Sequence, residues 1–401
     1  MRHPLTSPTP ARLRRASARD LAVYASHPFA FAALAATSRL PQLRLGTTVI
    51  VHDRDQYTEA LTGIPLDRLA AGTTGGQLAA VLGVEKGLMF TDADSRTARR
   101  TSAAHLSSRQ VAAFAPVWHP LLQQAAASLA AGASLDVAGL ARRLGGVTAT
   151  AVLGVSADPD RLADLVLAAA AHTTRTELRP SWANRLLHRE PVPPQALELA
   201  AMMRPTGPGW LADAAETGAS SAEVAALGIT IALATVATTA AALPRAVAWC
   251  ADARLWGALP EHSDALTAEL LRVTAPTGVL PRVTAADAEL GGCPVEAGTR
   301  LVLVARSAAR QGRPLPDPAC PAPAAQAQLV FGVGAHACPG ARLARAQMAE
   351  VLTVLAPHQP RIVSARPAYR SALPSWQRLV VTARTSQRGA DARSAWGEAA
   401  A

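Results

Sequence analysis

The chain has 401 residues, half of them apolar and 4% aromatic, and its formal net charge is +10. This length can bury a large core, and four cysteines without CxxC spacing argue against a zinc site and a disulfide framework. A basic surface can attract nucleic acid, but no basic-aromatic interleaving or nucleic-acid motif accompanies the charge, so we expect a solvated arginine-rich surface.

The first part of the chain predicts mostly helices. Residues 1–18 are rich in Pro and Arg, lack the apolar stretch of a secretory signal and are expected to be a disordered lead. The β-branched stretch Leu43–Val51 predicts a strand before a helix that starts near Asp53. Ala/Leu-rich patterns from Ser107 to Leu243 predict successive helices. The uncharged run Ala225–Leu243 could just span a bilayer, but its threonines favour a buried helix of a soluble protein.

The last part of the chain predicts a smaller β portion around one more helix. A strand is expected at Arg300–Ala305, followed by an irregular, Pro-rich meander at Arg313–Pro323. Apolar residues at helical spacing between Ala344 and Leu355 predict a helix with one buried face. A final strand is expected at Leu379–Ala383, and the polar residues 385–401 are expected to be disordered.

No linker divides the chain into two parts. We therefore predict a mainly α protein with a small β portion, built as a single large helical domain over residues 19–384. A monomer in the cytoplasm is expected, without nucleic-acid or membrane partners.

The most specific pattern is Phe331-Gly-Val-Gly-Ala-His-Ala-Cys-Pro-Gly340. Glycines permit close backbone approaches, and a helix starting after Cys338 would direct unpaired N–H groups at the sulfur. A thiolate bound to heme iron favours O–O cleavage. A lone cysteine is more often a small core residue, but the spacing Phe-Gly-x-Gly-x-His-x-Cys-x-Gly is far more specific than a lone cysteine.

On this motif the chain resembles the bacterial cytochromes P450, which are heme-thiolate monooxygenases, over nearly its whole length. The resemblance implies the cytochrome P450 fold, heme b as cofactor and Cys338 as the axial ligand of its iron. It also implies that Phe331 packs on the cysteine side of the heme and that His336 hydrogen-bonds a heme propionate. Gly334 and Gly340 complete the match to the family motif.

Two further patterns match the family. Glu269-Leu-Leu-Arg272 has the i,i+3 spacing that puts opposite charges on one helix face, and in the family this pair pins the meander behind the heme. Arg313 is the candidate for the third partner of that pair. Arg282 stands where relatives pair an arginine with a heme propionate, a role that suits guanidinium–carboxylate geometry.

A basic stretch, Ser95-Arg-Thr-Ala-Arg-Arg100, falls where the family has His-x-x-x-Arg. In one register Arg99 contacts a propionate and Ser95 replaces the histidine. In the register shifted by one residue, Arg100 makes the contact and Arg96 takes the place of the histidine. A solvated basic run is the alternative.

The sequence departs from the family in the distal helix, which is the helix that the family uses to activate oxygen. Ala234-Thr-Val-Ala-Thr-Thr239 corresponds to the family pattern Ala-Gly-x-acid-Thr-Thr, which makes Thr238 the oxygen-pocket threonine and puts Thr235 at the glycine position. Ala237 occupies the position of the acid and cannot relay protons. The threonine hydroxyls could hold a water chain, or they could merely bond to the helix backbone.

Two residues bear on the limits of this helix. Glu223 helps to fix the register, because relatives often carry an acid near the helix start. Pro244 is expected to kink the helix or to end it early.

The resemblance implies an oxidoreductase that oxidises a small, secondary-metabolite-like substrate with O2 and with electrons from a separate ferredoxin and its reductase. The missing acid leaves open oxidative coupling and peroxide-driven or substrate-assisted oxidation. A heme-free helper protein of a partner enzyme is an alternative of another class, against which the intact cysteine motif argues. Arg342 and Arg345 are candidates for docking the ferredoxin. The resemblance places the following residues in the substrate pocket: Ile231, Ala234, Val279, Leu280 and Ala372.

Overall fold

The computed structural model describes residues 8–26, 30–71, 73, 75–76, 101–177, 194–369 and 371–384. The predictions for Arg96, Arg99 and Arg100 lie outside the described residues, as does the prediction for the tail 385–401.

Helices form most of the described protein, and a smaller set of strands accompanies them. The helices are α1 (Pro10–Ala25), α2 (Ala30–Ala36), α3 (Arg54–Thr62), α4 (Ser108–Ala130), α5 (Val137–Leu153), α6 (Pro159–Glu177), α7 (Pro194–Met202), α8 (Trp210–Glu216), α9 (Ser221–Ala253), α10 (Leu259–Thr274), α11 (Ala305–Arg310), α12 (Ala324–Gln328) and α13 (Ala341–Leu355). The strands are β1 (Gln42–Leu45), β2 (Thr48–Val51), β3 (Leu66–Asp67), β4 (Ser134–Asp136), β5 (Leu280–Thr284), β6 (Ala288–Leu290), β7 (Cys293–Val295), β8 (Arg300–Leu303), β9 (Arg361–Pro367) and β10 (Trp376–Thr382).

Helix α9 is the central helix, and it packs most extensively against α5, α1 and α6. It begins with a capping box, in which Ser220 and Glu223 bond reciprocally to each other's backbone N–H groups. Glu223 therefore marks the helix start, as the sequence predicts. Of the two expectations for Pro244, a kink or an early end, the early end is wrong, because the helix continues to Ala253. A proline removes one backbone hydrogen bond, and packing of the buried residues on both sides of Pro244 outweighs this loss.

Helix α9 is also long and apolar enough to cross a membrane, judged by length and composition alone. However, 67% of its most apolar window is buried inside the protein, as in the core helix of a globular protein. This matches the interpretation of Ala225–Leu243 as a buried helix.

Helix α1 corrects the prediction of a disordered lead for residues 10–18, while residues 1–7 lie outside the described ranges. It begins at Pro10 and buries Ala16, Asp20 and Val23. The packing of this face against α9 orders a segment whose composition suggests disorder.

The strands form a five-stranded sheet of order β1-β2-β8-β5-β3, a three-stranded sheet of order β4-β10-β9 and the hairpin β6-β7. The predicted single strand Leu43–Val51 is in fact the hairpin β1-β2, which turns at Gly46 with φ +58°. Asp53 caps α3, since its carboxylate accepts bonds from the N–H groups of Asp55 and Gln56. The helix start predicted near Asp53 is therefore confirmed.

A second hydrophobic core lies between the five-stranded sheet, α3 and α11. Tyr57 is fully buried in it, and its hydroxyl donates to the carbonyl of Leu329 at 3.0 Å. Leu329 begins a short 3-10 turn that ends at Phe331. This core therefore fixes the position from which the cysteine motif starts.

Candidate cofactor site around Cys338

Cys338 is presented by two tight turns, which we call the cysteine loop (residues 331–340). The N–H of Cys338 donates to the carbonyl of Phe331 at 2.6 Å and closes the loop. Gly332 has φ +69°, and a Cβ there would lie 2.5 Å from the carbonyl oxygen of His336. Only glycine fits such a position. Helix α13 begins at Ala341, directly behind the loop, as the sequence predicts.

Cys338 is an exposed residue, although neighbouring protein atoms still desolvate its thiol. Desolvation by the surrounding protein raises the pKa of Cys338, while the N–H of Gly340, which donates to the sulfur, and the charge of Arg345 act in the opposite direction. Desolvation dominates, so the thiol keeps its proton at neutral pH unless a metal ion replaces that proton.

Arg345 contacts the cysteine loop from helix α13. Its guanidinium carbon lies 4.6 Å from the ring centroid of Phe331, and it donates to the side-chain oxygen of Gln328 at 3.0 Å. These contacts hold the half-buried guanidinium against the loop, and docking of a ferredoxin by Arg345 stays a prediction. Arg342 is exposed on α13 and stays a candidate.

Two arginines meet beside the cysteine loop. Strands β3 and β5 pair with Leu66 opposite Thr284 and Asp67 opposite Val283, and this register carries Arg68 toward Arg282. Desolvation and then repulsion by Arg68 lower the pKa of Arg282 to about 10. Among the described residues, the buried Nε of Arg282 has no hydrogen-bond partner.

Arg68 reaches from this pair to the cysteine loop. Its Nη2 donates to the carbonyl of Ala335 at 2.7 Å, in the turn that also contains His336. Arg68, which the sequence analysis missed, thus lies near Arg282 and bonds the residue next to His336. Two guanidinium groups in a desolvated setting favour an anion, and this donor set fits the two carboxylates of heme b.

The predicted pair of Glu269 and Arg272 is confirmed as a buried bidentate ion pair on α10. The two N···O distances are 2.8 and 2.6 Å, and both side chains are at most 1% exposed. The Glu269 carboxylate also accepts from the N–H groups of Asp317 and Ala322 at 2.9 and 3.0 Å. The pair thereby holds both ends of a segment within the predicted meander.

Arg313 completes this arrangement in a different way than expected. Its backbone carbonyl, rather than its guanidinium, accepts a bond from Arg272, as do the carbonyls of Ala309 and Leu315. The guanidinium of Arg313 instead donates to the carbonyl of Cys320 at 2.7 Å. The prediction that the Arg313 side chain is the third partner is therefore wrong.

On α9, Ala234 and Thr238 lie one helical turn apart on an accessible face. The hydroxyl of Thr238 donates to the carbonyl of Ala234, which is the backbone bonding that the sequence leaves open. Thr235 is half-buried, and Ala237 is 8% exposed. This face therefore offers hydroxyl groups but no carboxylate.

Thr239 points into the helical core. Its hydroxyl donates to the side-chain oxygen of Gln347 at 3.0 Å, and the Gln347 amide donates to the hydroxyl of Thr148 at 2.8 Å. Trp118 donates to the same hydroxyl at 2.9 Å. This network joins α9, α13, α5 and α4, so Thr239 does not contribute to a distal water chain as proposed from the sequence.

The residues assigned to the substrate pocket have different environments. Ala234 is exposed, while Ile231 is buried in the large hydrophobic core that α9 forms with the neighbouring helices. Val279 packs against a small core that contains Tyr24, and Leu280 packs against the second core. Ala372 is half-buried. Their common role in binding a substrate stays a prediction.

Known bacterial cytochromes P450 are similar to this chain in sequence and in fold. Cytochrome P450 130 of Mycobacterium tuberculosis is 39% identical over 103 residues, which cover 24% of each chain. A mutant of P450 EryK in complex with erythromycin B has a TM-score of 0.69 at 18% identity, covering 93% of this chain and 98% of its own. CYP108D1 of Novosphingobium aromaticivorans gives 0.69 at 19% identity, covering 95% and 100%. No family model matches the chain.

These similarities confirm the predicted resemblance and the fold. The chain has the cytochrome P450 fold, mainly α with a small β portion. The sequence alignment spans about a quarter of the curated relative, and the solved structures share the architecture at low identity.

Proposed function

We propose that the protein is a heme-thiolate oxidoreductase of the monooxygenase type, with Cys338 as iron ligand. The observation that carries this proposal is the cysteine loop, which the bond from the Cys338 N–H to the Phe331 carbonyl closes, with the guanidinium groups of Arg68 and Arg282 beside it. The two guanidinium groups would bind the two carboxylates of a cofactor whose iron binds the Cys338 thiolate. The cytochrome P450 fold supports the same assignment.

The residues around Cys338 have separate tasks in this proposal. The N–H of Gly340 and the charge of Arg345 stabilise the sulfur anion once its proton is lost. Arg68, Arg282 and His336 hold the carboxylates of heme b. When bound, the heme supplies activation of O2 at its iron.

On the distal side, helix α9 offers few groups that could supply a proton. A hydroxyl has one donor and two acceptor lone pairs, so Thr238, which donates to Ala234, can still accept a bond from a water. Ala237 offers no carboxylate that could deliver a proton. The protons needed for oxygen insertion then come from the substrate or from water. Otherwise the reaction does not insert oxygen. Substrate-assisted oxidation, peroxide-driven oxidation and oxidative coupling are therefore the second candidate functions.

The substrate in this proposal is a small molecule of the secondary-metabolite type. The complex of P450 EryK with erythromycin B supports this class as one that the fold can bind. Electrons come from a separate ferredoxin and its reductase, with Arg342 as a docking residue. We propose a monomer in the cytoplasm. A heme-free helper protein is disfavoured by the complete cysteine loop.

The test is the absorption spectrum of the reduced, CO-bound protein. A strongly red-shifted band is expected for the wild type, and its loss is expected in Cys338→Ser. Cys320→Ser removes another exposed thiol and is the matched control, in which the band should persist. A wild type that binds heme without this band, or a band that survives in Cys338→Ser, would overturn the proposal.

A second experiment separates oxygen insertion from its alternatives. Ala237→Glu restores an acid on α9, and substrates can be found by the shift of the resting heme band. If oxygen insertion is the native reaction, Ala237→Glu should use a larger fraction of the consumed electrons for product formation than the wild type does. Loss of activity at full heme content would favour oxidative coupling or a substrate-assisted route.

A further inference from the structure

A buried cluster of charges lies between α1, α9 and α11, and we call it the Asp20 cluster (Asp20, Arg245, Arg306 and Arg310). The Asp20 carboxylate accepts from Arg245 Nε at 2.8 Å and from Arg306 Nη2 at 2.7 Å. Arg310 Nη1 lies 3.7 Å from the same carboxylate. Asp20, Arg245 and Arg306 are 4%, 1% and 7% exposed, so water screens them little.

The charges of the Asp20 cluster do not balance. Three guanidinium groups face one carboxylate. Among the described residues, the other negative potential that contacts them is the C-terminal end of α10, where the Val273 carbonyl accepts from Arg306 at 2.9 Å and from Arg310 at 3.4 Å. A helix end supplies about half a negative charge. Among the described residues, positive charge therefore remains in excess, and buried unpaired charge is costly.

Two features accompany this excess of positive charge. Desolvation and repulsion by Arg306 lower the pKa of Arg310 to about 9. Nη1 and Nη2 of Arg245 and the hydroxyl of Tyr24 are buried, and within the described ranges they have no hydrogen-bond partner. Tyr24 is stacked under Arg306, whose guanidinium carbon lies 4.7 Å from the ring centroid.

A cavity of about 740 Å³ opens beside the cluster. Its cationic side is formed by Arg306 and Arg310 with Tyr24, and its apolar side by Leu21, Leu34 and Leu40. Leu21 and Leu40 are 48% and 46% exposed, whereas Leu34 and Arg306 are 8% and 7% exposed, so the lining includes both surface and buried residues. The volume is in the range of small-molecule sites.

The other polar groups in the wall are already bonded or exposed. His52 contacts Thr37 and Ser307 through its two ring nitrogens at 3.0 and 2.8 Å. Asp53 caps α3 and accepts from Gln311 at 3.0 Å, so its carboxylate is occupied. Arg39 is exposed and adds a third cation to the wall.

We propose that this cavity binds a small organic carboxylate, whose carboxylate group contacts Arg306 and Arg310 while its apolar body lies against Leu21, Leu34 and Leu40. Planar guanidinium forks match a carboxylate, and the apolar wall favours an organic acid over an inorganic anion. The lining residues come from α1, the segment 34–41, the start of α3, and the segment 304–314, which holds α11. The site is thus separate from the cysteine loop, and it stands independently of the proposed oxidase function.

The test uses the full chain and three probes at equal ionic strength: hexanoate, acetate and inorganic phosphate. Calorimetry should give saturable hexanoate binding, with acetate and phosphate weaker, and hexanoate should raise the melting temperature by mass action. In Arg310→Met the affinity for hexanoate should fall about tenfold or more, as expected for loss of a charge-assisted contact. Arg142→Met, an exposed arginine on α5, is the matched control and should bind as the wild type does.

Stability without ligand gives a second measurement. Arg310→Met removes a repelling charge from the Asp20 cluster, so the variant should melt no lower than the wild type in the absence of anions. Leu40→Ser should reduce hexanoate binding to the level of acetate. No saturable binding, an unchanged hexanoate affinity in Arg310→Met, or phosphate binding as tightly as hexanoate would each overturn the inference.

Discussion

The guanidinium of Arg68 lies near that of Arg282, although 213 positions in the sequence separate the two residues and both carry a positive charge. The short pairing of β3 with β5 brings them together, and the contact of Arg68 with Ala335 holds them at the cysteine loop. Like charges in a desolvated place are unfavourable unless an anion separates them. We therefore expect both guanidinium groups to contribute to the proposed binding of a dicarboxylate cofactor.

The first prediction concerns this arginine pair. Arg68→Met and Arg282→Met should each weaken binding of hemin to the heme-free protein about tenfold or more, because each removes a charge-assisted bond. Hemin titration followed by absorption measures the dissociation constant. Arg378→Met, on the exposed side of β10, should leave it unchanged. If Arg68→Met binds hemin as the wild type does, Arg68 is not a carboxylate partner.

The second prediction concerns the protonation of Cys338. Its raised pKa leaves less thiolate at pH 7 than an ordinary thiol has, so iodoacetamide should label Cys338 slowly at pH 7 and faster as the pH rises. Peptide-resolved mass spectrometry of the heme-free protein measures the rate. Arg345→Met removes a stabilising charge and should slow labelling further, whereas Arg342→Met should not. Fast labelling at neutral pH would contradict the dominance of desolvation.

The third prediction concerns the ion pair on α10. Glu269→Gln leaves Arg272 buried without its charged partner and should lower the free energy of unfolding by about 3–5 kcal/mol. Urea unfolding measures this change. Glu261→Gln, an exposed residue in the first turn of the same helix, should change stability by less than about 0.5 kcal/mol. Equal effects of the two substitutions would show that the buried pair contributes nothing specific.

The sequence predicts those parts of the site whose geometry depends on residues close together in the chain. The turn that presents Cys338 and the spacing of Glu269 and Arg272 depend on neighbouring residues, and both are found as predicted. Arg68 was missed because its role comes from the pairing of a two-residue strand with a distant one. The early end that was one of two expectations for Pro244 is not found, because tertiary packing overrides local propensity.

The fourth prediction concerns pH and Asp20. Burial alone would raise the pKa of Asp20, but Arg245 and Arg306 outweigh burial and lower it to about 2. A lowered carboxyl pKa gives stability that is complete above the ordinary value near 4, and this stability, about 2 kcal/mol, is lost as the pH falls to about 2. The difference in unfolding free energy between wild type and Asp20→Asn should therefore shrink over this range.

Urea unfolding between pH 5 and about 2 measures the effect of Asp20. Asp55→Asn, whose side chain is 86% exposed, is the matched control and should follow the wild type. A difference between wild type and Asp20→Asn that stays constant down to the lowest pH would contradict the lowered pKa.

The fifth prediction separates two neighbouring threonines on α9. Thr239→Val leaves the Gln347 carbonyl without its donor in the core and should cost about 1–3 kcal/mol of stability. Thr238→Val removes only a bond to the helix's own backbone and should leave stability nearly unchanged. It should nevertheless reduce turnover, because the accessible face loses a water-binding oxygen. Urea unfolding and oxygen consumption with product analysis measure the two effects. If Thr239→Val lowers turnover at full heme content while Thr238→Val does not, the register of the distal helix is wrong.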